Sequence, residues 1–177
     1  MANATLLKLP EAEPSIDGSA FRAPGSVVVG DVQIGPESSI WYNVVVRADV
    51  SPVRIGSRSN IQDGSILHAD PGFPCIIGDD VTVGHKAIVH GATVRNGALI
   101  GMGAILLNGA DIGEDAIVAA GAVVTEGTIV APGTLVAGIP AKEKRQLDDD
   151  ARQMGRRGAE GYVRNAQRHK LATPVEE

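Results

Sequence analysis

The chain places an aliphatic residue at every sixth position over most of its length. The clearest run of this pattern is unbroken and contains Ile100, Leu106, Ile112, Val118, Val124, Val130 and Val136. A small residue often follows the aliphatic one, and another often occupies the fifth place, as in "IGMGAI" and "VAAGAV". Six residues with one inward side chain is too short a period for a helical repeat and too regular for a series of hairpins.

The same register extends upstream with three interruptions. Its upstream members are Val28, Ile34, Ile40, Val46, Ile55, Ile61, Leu67, Ile77, Val83 and Val89. About three extra residues follow Val46, about four follow Leu67, and the step from Val89 to Val94 is one residue short. We expect the extra residues after Leu67 to form a loop.

This periodicity predicts an all-β solenoid in which each hexad forms one short strand and one corner. Stacked coils then bury the columns of branched side chains, and the small residues tolerate the tight corners. Three hexads per turn give about 18 residues per coil, so that residues 16–140 supply about seven coils. We therefore assign residues 1–140 to the solenoid domain.

The last part of the chain loses the six-residue period. Residues 141–170 are rich in charged residues and in Ala, and their apolar positions suit a C-terminal helix that packs alongside the solenoid. Residues 171–177 are predicted to be a disordered tail. His169 is expected to be a solvated residue of this polar region.

Composition and charge exclude several classes of partner. The chain has 22 glycines and only 3% aromatic residues, which fits a core of many small, similar layers. A net charge of −5 argues against a nucleic-acid partner, and no apolar stretch is long enough for a membrane helix. The N-terminus shows no secretion signal, and the single Cys75, in the predicted loop after His68, fits a reduced compartment, so we expect a cytoplasmic protein.

The hexad register brings two of the four histidines together. His68 follows Leu67 and His90 follows Val89, so both occupy the second place of hexads that lie one full turn apart. They should stack on adjacent coils at a strand spacing of roughly 5 Å, with Arg47 in the same column one coil lower. His85 occupies the third place of its hexad, one coil above Asp63 and on a different face.

A metal ion held by three histidines would have to be shared between chains. Each ligating nitrogen lies about 2.0–2.1 Å from a zinc ion, and His68 and His90 can converge on one ion within a chain. His85 is a strand and a corner away, too far to join them at a rise of roughly 3.3 Å per residue. The register therefore predicts that a neighbouring subunit supplies His85, as a cyclic homotrimer would allow.

Three segments resemble the signature sequences of γ-class carbonic anhydrases: "VVVRAD", "NIQDGSILH" and "VGHKAIVHG". The resemblance covers nearly the whole chain and implies a left-handed parallel β-helix and a homotrimer. It implies Zn²⁺, with Fe²⁺ or Co²⁺ as alternatives, bound by His68, His85 and His90, the middle one from the neighbouring subunit. The implied reaction is the reversible hydration of carbon dioxide to bicarbonate by a metal-bound hydroxide.

The resemblance also assigns roles to residues around the metal. Arg47 and Asp49 match a pair that forms an intersubunit salt bridge near the site. Gln62 matches a glutamine that hydrogen-bonds the hydroxide, with Asp63 beside it. The same segment is completed by Asn60, and Tyr162 of the C-terminal helix is the candidate for a tyrosine that reaches the site in many short members.

The sequence departs from the family where a proton must leave the site. Val50 stands where archetypal members have a glutamate, and the short loop "ADPGFPC" carries Asp70 as its sole carboxylate. Efficient anhydrase activity is therefore an open question, and an orphan metal-binding homologue without it is one alternative. The other is an acyltransferase or thioesterase that uses a coenzyme A substrate and a metal-free histidine as general base.

Overall fold

The structure is a computed structural model that describes residues 4–173 and 175. These residues form 20 β-strands and two α-helices. The strands are β1 (Thr5–Leu7), β2 (Ser15–Ile16), β3 (Phe21–Arg22), β4 (Val27–Ile34), β5 (Ser39–Ile40), β6 (Val45–Ile55), β7 (Asn60–Ile61), β8 (Ile66–His68), β9 (Cys75–Ile77), β10 (Thr82–Val83), β11 (Ile88–His90), β12 (Thr93–Val94), β13 (Leu99–Ile100), β14 (Ile105–Leu106), β15 (Asp111–Ile112), β16 (Ile117–Val118), β17 (Val123–Val124), β18 (Ile129–Val130), β19 (Thr134–Ala137) and β20 (Lys142–Gln146). The helices are α1 (Asp149–Arg152) and α2 (Met154–Lys170).

The strands wind into three parallel faces of a left-handed β-helix of about seven coils, which confirms the predicted fold. Face 1 stacks β8, β11, β14 and β17 above the first half of β6. Face 2 stacks β9, β12, β15 and β18 above the second half of β6. Face 3 runs from β3 through β5, β7, β10, β13 and β16 to β19.

The aliphatic residues of the six-residue pattern stack in the columns that the sequence predicts. On face 1, Val46 pairs with Leu67, Leu67 with Val89, and Val89 with Leu106. These four side chains have no exposed surface. Since full burial of one such side chain contributes about 1.5–3 kcal/mol, repeated burial along three columns supplies the core without large rings.

The interruptions in the pattern leave the coil as loops and preserve the register. In β6, Ala48 pairs with Gly30 and Val53 with Val32, so the extra residues 49–52 bulge out between two faces. Beyond the loop after His68, Ile77 returns to the column of Ile55. Both insertions lie at the same corner of the β-helix, between face 1 and face 2.

The predicted C-terminal helix begins later than expected. Residues 142–146 form β20, which pairs antiparallel with β19, and the helices follow from Asp149. A last coil exposes a row of unpaired backbone groups, and an antiparallel strand satisfies them; this explains why a charged segment, "KEKRQ", becomes a strand. Beyond Lys170 the described residues contain no helix or strand, and the predicted tail at 171–177 lies partly outside the described residues.

Helix α2 lies along face 3 and contacts β3, β5, β7 and β10. Its first turn approaches the coil closely, because the Thr82 hydroxyl donates to the Gly155 carbonyl at 3.0 Å. A Cβ added at Gly155 would lie 2.0 Å from the Gly97 carbonyl oxygen. Glycine weakens a helix, but Gly155 allows this one to dock closely on the coil.

The end of α2 reaches an aromatic cluster on the first coils, where His169 is exposed, as the sequence predicts, and also contacts two aromatic side chains. The His169 ring lies 4.8 Å from the Trp41 ring, and its Nδ1 is 2.8 Å from the Tyr42 hydroxyl. Tyr162 packs edge-on against Trp41 at 5.1 Å. This contact fixes the position of Tyr162 above face 3.

Cys75 is a core residue of β9 and not part of the loop after His68. Its side chain is fully buried, and burial raises the pKa of the thiol to about 12. The sequence pattern predicted that Cys75 belongs to the loop, but the loop closes earlier, at the bridge between Asp70 and Phe73. Among the described residues, no helix is long and apolar enough to cross a membrane.

The close approach of α2 to the coil predicts opposite effects for two glycine substitutions. Gly155→Ala should destabilise the protein by about 1–3 kcal/mol, because the new methyl group meets backbone carbonyls. Gly161→Ala is the matched control: its Cβ meets nothing closer than Arg164 at 4.0 Å, so it should stabilise the helix by up to about 1 kcal/mol. Denaturant unfolding of both variants measures the difference, and equal effects would contradict the docking geometry.

Candidate metal centre

The predicted site residues gather at two different corners of the triangular coil. The corner between face 1 and face 2 (the 1–2 corner) holds His68, His90 and Asp49. The corner between face 3 and face 1 (the 3–1 corner) holds His85 and Asp63, which are separated from His90 by the whole of β11. The structure thus places His68 and His90 at one corner and His85 at another, as the six-residue register predicts.

At the 1–2 corner, His68 and His90 are paired directly in the β-ladder. Their rings lie 5.0 Å apart between centroids, as expected for adjacent coils. Nδ1 of His68 is 3.0 Å from Nε2 of His90. Both side chains are partly buried, so the two nitrogens face each other in a site sheltered from water.

Asp49 holds the other nitrogen of His68. Its Oδ1 lies 3.0 Å from His68 Nε2, and its Oδ2 accepts a hydrogen bond from Arg47. Partial desolvation raises the pKa of Asp49, but the hydrogen bonds from His68 and Arg47 outweigh it and hold the pKa below its ordinary value. Because an ionised carboxylate only accepts hydrogen bonds, Nε2 of His68 carries the hydrogen and Nδ1 carries a lone pair.

Asn108, a residue that the sequence interpretation missed, holds the other nitrogen of His90. Its Nδ2 donates to Asp70 Oδ2 at 2.9 Å, and this contact orients the amide so that Oδ1 faces His90 Nδ1, also at 2.9 Å. Nδ1 of His90 therefore carries the hydrogen, and Nε2 carries a lone pair. Gly91 leaves the space that this amide fills, since a Cβ there would lie 2.1 Å from Asn108 Oδ1.

Two lone pairs therefore face each other across 3.0 Å when both imidazoles are neutral. Neither nitrogen can donate to the other in that state, and the arrangement is favourable only with a proton or a metal ion between them. Two nitrogens bound to one tetrahedral zinc ion lie about 3.3 Å apart, within a few tenths of an ångström of this separation. The donor set at the 1–2 corner therefore fits a divalent metal ion.

At the 3–1 corner, His85 also has one ring nitrogen held by an oxygen acceptor. Its Nδ1 is 2.7 Å from Asp63 Oδ2, so its Nε2 carries the lone pair and is available to a ligand. The His85 side chain is 41% exposed, against 14% for His68. Within one chain, His85 lies outside the group of metal-binding side chains, which consists of His68, Asp70 and His90 among the described residues.

Gln62 and Asn60 lie beside His85 in a buried hydrogen-bond network. Gln62 Nε2 donates to Asn60 Oδ1 at 3.0 Å, and Asn60 Nδ2 donates to Thr82 Oγ1 at 3.0 Å. Tyr162 faces the same corner from α2: burial, and then the charge of Asp63, raise the pKa of its hydroxyl. The Gln62 amide and the Tyr162 hydroxyl are therefore both on the side of the chain that carries His85.

Arg47 forms a salt bridge within its own chain, and the intersubunit salt bridge stays a prediction. In the single chain, Arg47 pairs with Asp49 of its own strand. The two residues are separated by one position in β6, so their side chains emerge on the same side of the strand. Asp49 thereby connects Arg47 to the His68 imidazole.

Comparison with known proteins identifies the family. Residues 91–126 match the bacterial transferase hexapeptide (six repeats) family. A carbonic anhydrase of Geobacillus kaustophilus is 53% identical over 158 residues, 89% of this chain and 86% of that protein. Mitochondrial gamma carbonic anhydrase 2 of Arabidopsis thaliana is 42% identical over 171 residues, 93% of this chain and 62% of that protein.

A solved structure with the same fold carries a different description. A Bacillus cereus protein, provisionally described as an acetyltransferase, superimposes with a TM-score of 0.94 at 45% identity, covering 97% of this chain and 100% of that one. The similarity to the Geobacillus carbonic anhydrase likewise extends over most of both chains, beyond the residues 91–126 that match the hexapeptide family. The chain belongs to the γ-class carbonic anhydrase-like family of hexapeptide-repeat proteins.

Proposed function

We propose that the protein is a metal-dependent carbonic anhydrase whose sites lie between the subunits of a homotrimer. The observation that carries the proposal is the pair of imidazole lone pairs that face each other across 3.0 Å. In this site His68 and His90 of one chain bind the metal together with His85 of a neighbour. All three histidines have their second ring nitrogen held by an oxygen acceptor, an arrangement typical of metal-ligating histidines.

The separation of the corners supports a ring of three chains. Each chain has two ligands at the 1–2 corner and one at the 3–1 corner, so a single chain offers two of the three ligands of one site and one of the three ligands of another. Pairing unlike surfaces is a heterologous contact, and such contacts form a closed ring when the rotation between subunits closes. A cyclic trimer built in this way contains three complete sites.

A divalent cation bound there would act as a Lewis acid and lower the pKa of a water molecule towards about 7, which would make hydroxide available to attack carbon dioxide. Zn²⁺ is the cofactor that we propose, and imidazole ligands also suit Fe²⁺ and Co²⁺. Neutral imidazoles leave the positive charge of the cation uncompensated. Asp49 and Asn108 act by keeping His68 and His90 in the tautomers whose lone pairs face the metal.

The 3–1 corner of the neighbouring chain brings the groups that orient the reactants. Gln62 is 6% exposed and anchored by Asn60, so its amide is held in one orientation beside His85. Asp63 fixes the His85 ring, and the Tyr162 hydroxyl, whose pKa burial raises further above its ordinary value, stays protonated near neutral pH. These groups would orient the hydroxide and the bicarbonate product by hydrogen bonds.

Proton removal is the step for which this chain has a distinct arrangement. Val50 replaces the familiar glutamate, and Asp70 is the carboxylate beside His90, with its Oδ1 3.9 Å from His90 Nε2. Asp70 is 43% exposed, so it can exchange protons with bulk water. We propose that Asp70, or water alone, accepts the proton of each turnover.

The acyltransferase or thioesterase alternative is not favoured by the site. A general-base histidine needs one free lone pair aimed at a substrate, whereas His68 and His90 aim theirs at each other and only His85 of the three has a free one. The orphan metal-binding alternative differs only in activity. We therefore keep carbonic anhydrase as the proposed function, acting in the cytoplasm on carbon dioxide and bicarbonate without a nucleic-acid or membrane partner.

Metal analysis beside stopped-flow carbon dioxide hydration tests this function. The wild-type protein should hold about one metal per chain, hydrate carbon dioxide above the buffer rate, and lose the activity to a chelator. His90→Ala should lose metal and activity. His169→Gln is the matched histidine control, because His169 lies in the aromatic cluster, and it should keep both.

Two results of the metal and activity measurements would contradict the proposal. A wild-type protein that holds no metal after purification would exclude the metal site. A protein with about one metal per chain but no hydration above buffer would be an orphan metal-binding homologue. A stable monomer in sedimentation would separately contradict the shared site.

The asparagine that holds His90 gives a second prediction. Asn108→Ala frees the His90 ring and the Asp70 carboxylate, and loss of such a supporting contact typically weakens metal affinity about 10–100-fold. Asn96→Ala is the matched control, because Asn96 holds the same hexad position one face away and bonds only the Asp79 backbone among the described contacts. Competition with a chromophoric chelator measures both affinities, and equal affinities would contradict the role of Asn108.

A further inference from the structure

The 1–2 corner contains a third donor that belongs to the same chain as His68 and His90. One oxygen of Asp70 and one ring nitrogen of each histidine all lie within 4.8 Å of one another. Asp70 Oδ1 is 3.9 Å from His90 Nε2, which is the nitrogen whose lone pair faces His68. Two imidazoles and one carboxylate form a donor set that binds Zn²⁺ and Fe²⁺ in other proteins.

Asp70 is held in this position by its loop. Its backbone carbonyl accepts a hydrogen bond from the Phe73 amide at 2.9 Å, and Gly72 turns the chain between them with a φ of 84°. The Phe73 ring lies against the coil above, where a Cβ at Gly109 would be 3.3 Å from its Cε1. The loop therefore presents the carboxylate as a fixed group.

Asn108 leaves one oxygen of Asp70 available. Its amide uses Oδ2 of Asp70 and Nδ1 of His90, so one side chain orients a carboxylate and an imidazole at the same time. Oδ1 of Asp70 and Nε2 of His90 are the atoms that remain for a ligand. They face the same space as Nδ1 of His68.

We propose that each chain binds a divalent cation by itself through His68, His90 and Asp70, before a neighbouring subunit brings His85. The proposal rests on the metal site proposed above. On assembly, His85 joins the ion or displaces Asp70, and a displaced Asp70 becomes free to exchange protons. A separate subunit can thus bind the metal. Where His85 displaces Asp70 on assembly, the site becomes one of three neutral imidazoles.

The test removes the neighbour's ligand and then the chain's own third ligand. His85→Ala should still bind about one zinc per chain, in whatever assembly state sedimentation shows. Adding Asp70→Asn should weaken zinc binding by more than about tenfold, since loss of a ligand should cost at least as much as loss of a supporting contact. Asp70→Asn keeps an acceptor oxygen for Asn108, so the loop should keep its structure.

Glu126→Gln in the His85→Ala background is the control for the change in net charge. Glu126 is exposed and lies one coil above Asn108 at the same corner, but it bonds none of His68, His90 and Asp70 among the described contacts, so its substitution should leave the zinc affinity unchanged. Chelator competition gives the affinities without any activity measurement. The inference is overturned if His85→Ala binds no zinc, or if Asp70→Asn has no larger effect than Glu126→Gln.

The outcomes separate this inference from the proposed function. If the wild-type protein hydrates carbon dioxide while His85→Ala is free of metal, the single-chain site is wrong and the function stands. If His85→Ala binds zinc through Asp70 while the metal-loaded wild type does not hydrate carbon dioxide, the function is wrong and the single-chain site stands.

Discussion

The stacking of one coil on the next determines where every functional side chain lies. Residues about 18 positions apart occupy the same place on neighbouring coils, at a strand separation of about 4.8 Å. His68 and His90 are 22 positions apart, and the extra four residues leave the coil as the loop that carries Asp70. One register thus builds the core columns, the histidine pair and the loop beside it.

This constraint also explains why a single chain presents an incomplete three-histidine site. Side chains of one column converge, while those of different corners are held apart by the rigid width of a face. His85 lies in the turn before β11 and His90 at the end of that strand, so no rotamer can bring them to one ion. Completing the set requires a second copy, and the supporting groups are divided in the same way: Asp49 and Asn108 at one corner, Gln62 and Tyr162 at the other.

Periodic features were predictable from the sequence, because a repeat fixes each residue's neighbours without knowledge of the rest of the chain. The columns, the loops, the pairing of His68 with His90 and that of His85 with Asp63 are of this kind. Asn108 could also have been found: it lies one coil above Gly91, at the third place of its hexad. It was missed because an asparagine next to glycine is typical of a corner.

The features that escaped prediction depend on contacts between distant parts of the chain. The charged segment 142–146 forms a strand because the last coil offers an unpaired edge, which no local propensity indicates. His169 packs into an aromatic cluster because α2 runs back to the first coils. Cys75 was misplaced because the end of an insertion is poorly defined by a six-residue pattern alone.

Mixing two inactive variants tests the central claim, a metal site divided between chains. Co-expressed His85→Ala and His90→Ala subunits should recover activity, because a His85→Ala chain beside a His90→Ala chain has one intact site. Random assembly of a cyclic trimer makes about a quarter of the sites intact, whereas each variant alone should lose most of its activity. Mixed trimers, verified by native mass spectrometry, that stay as inactive as their parents would contradict the account.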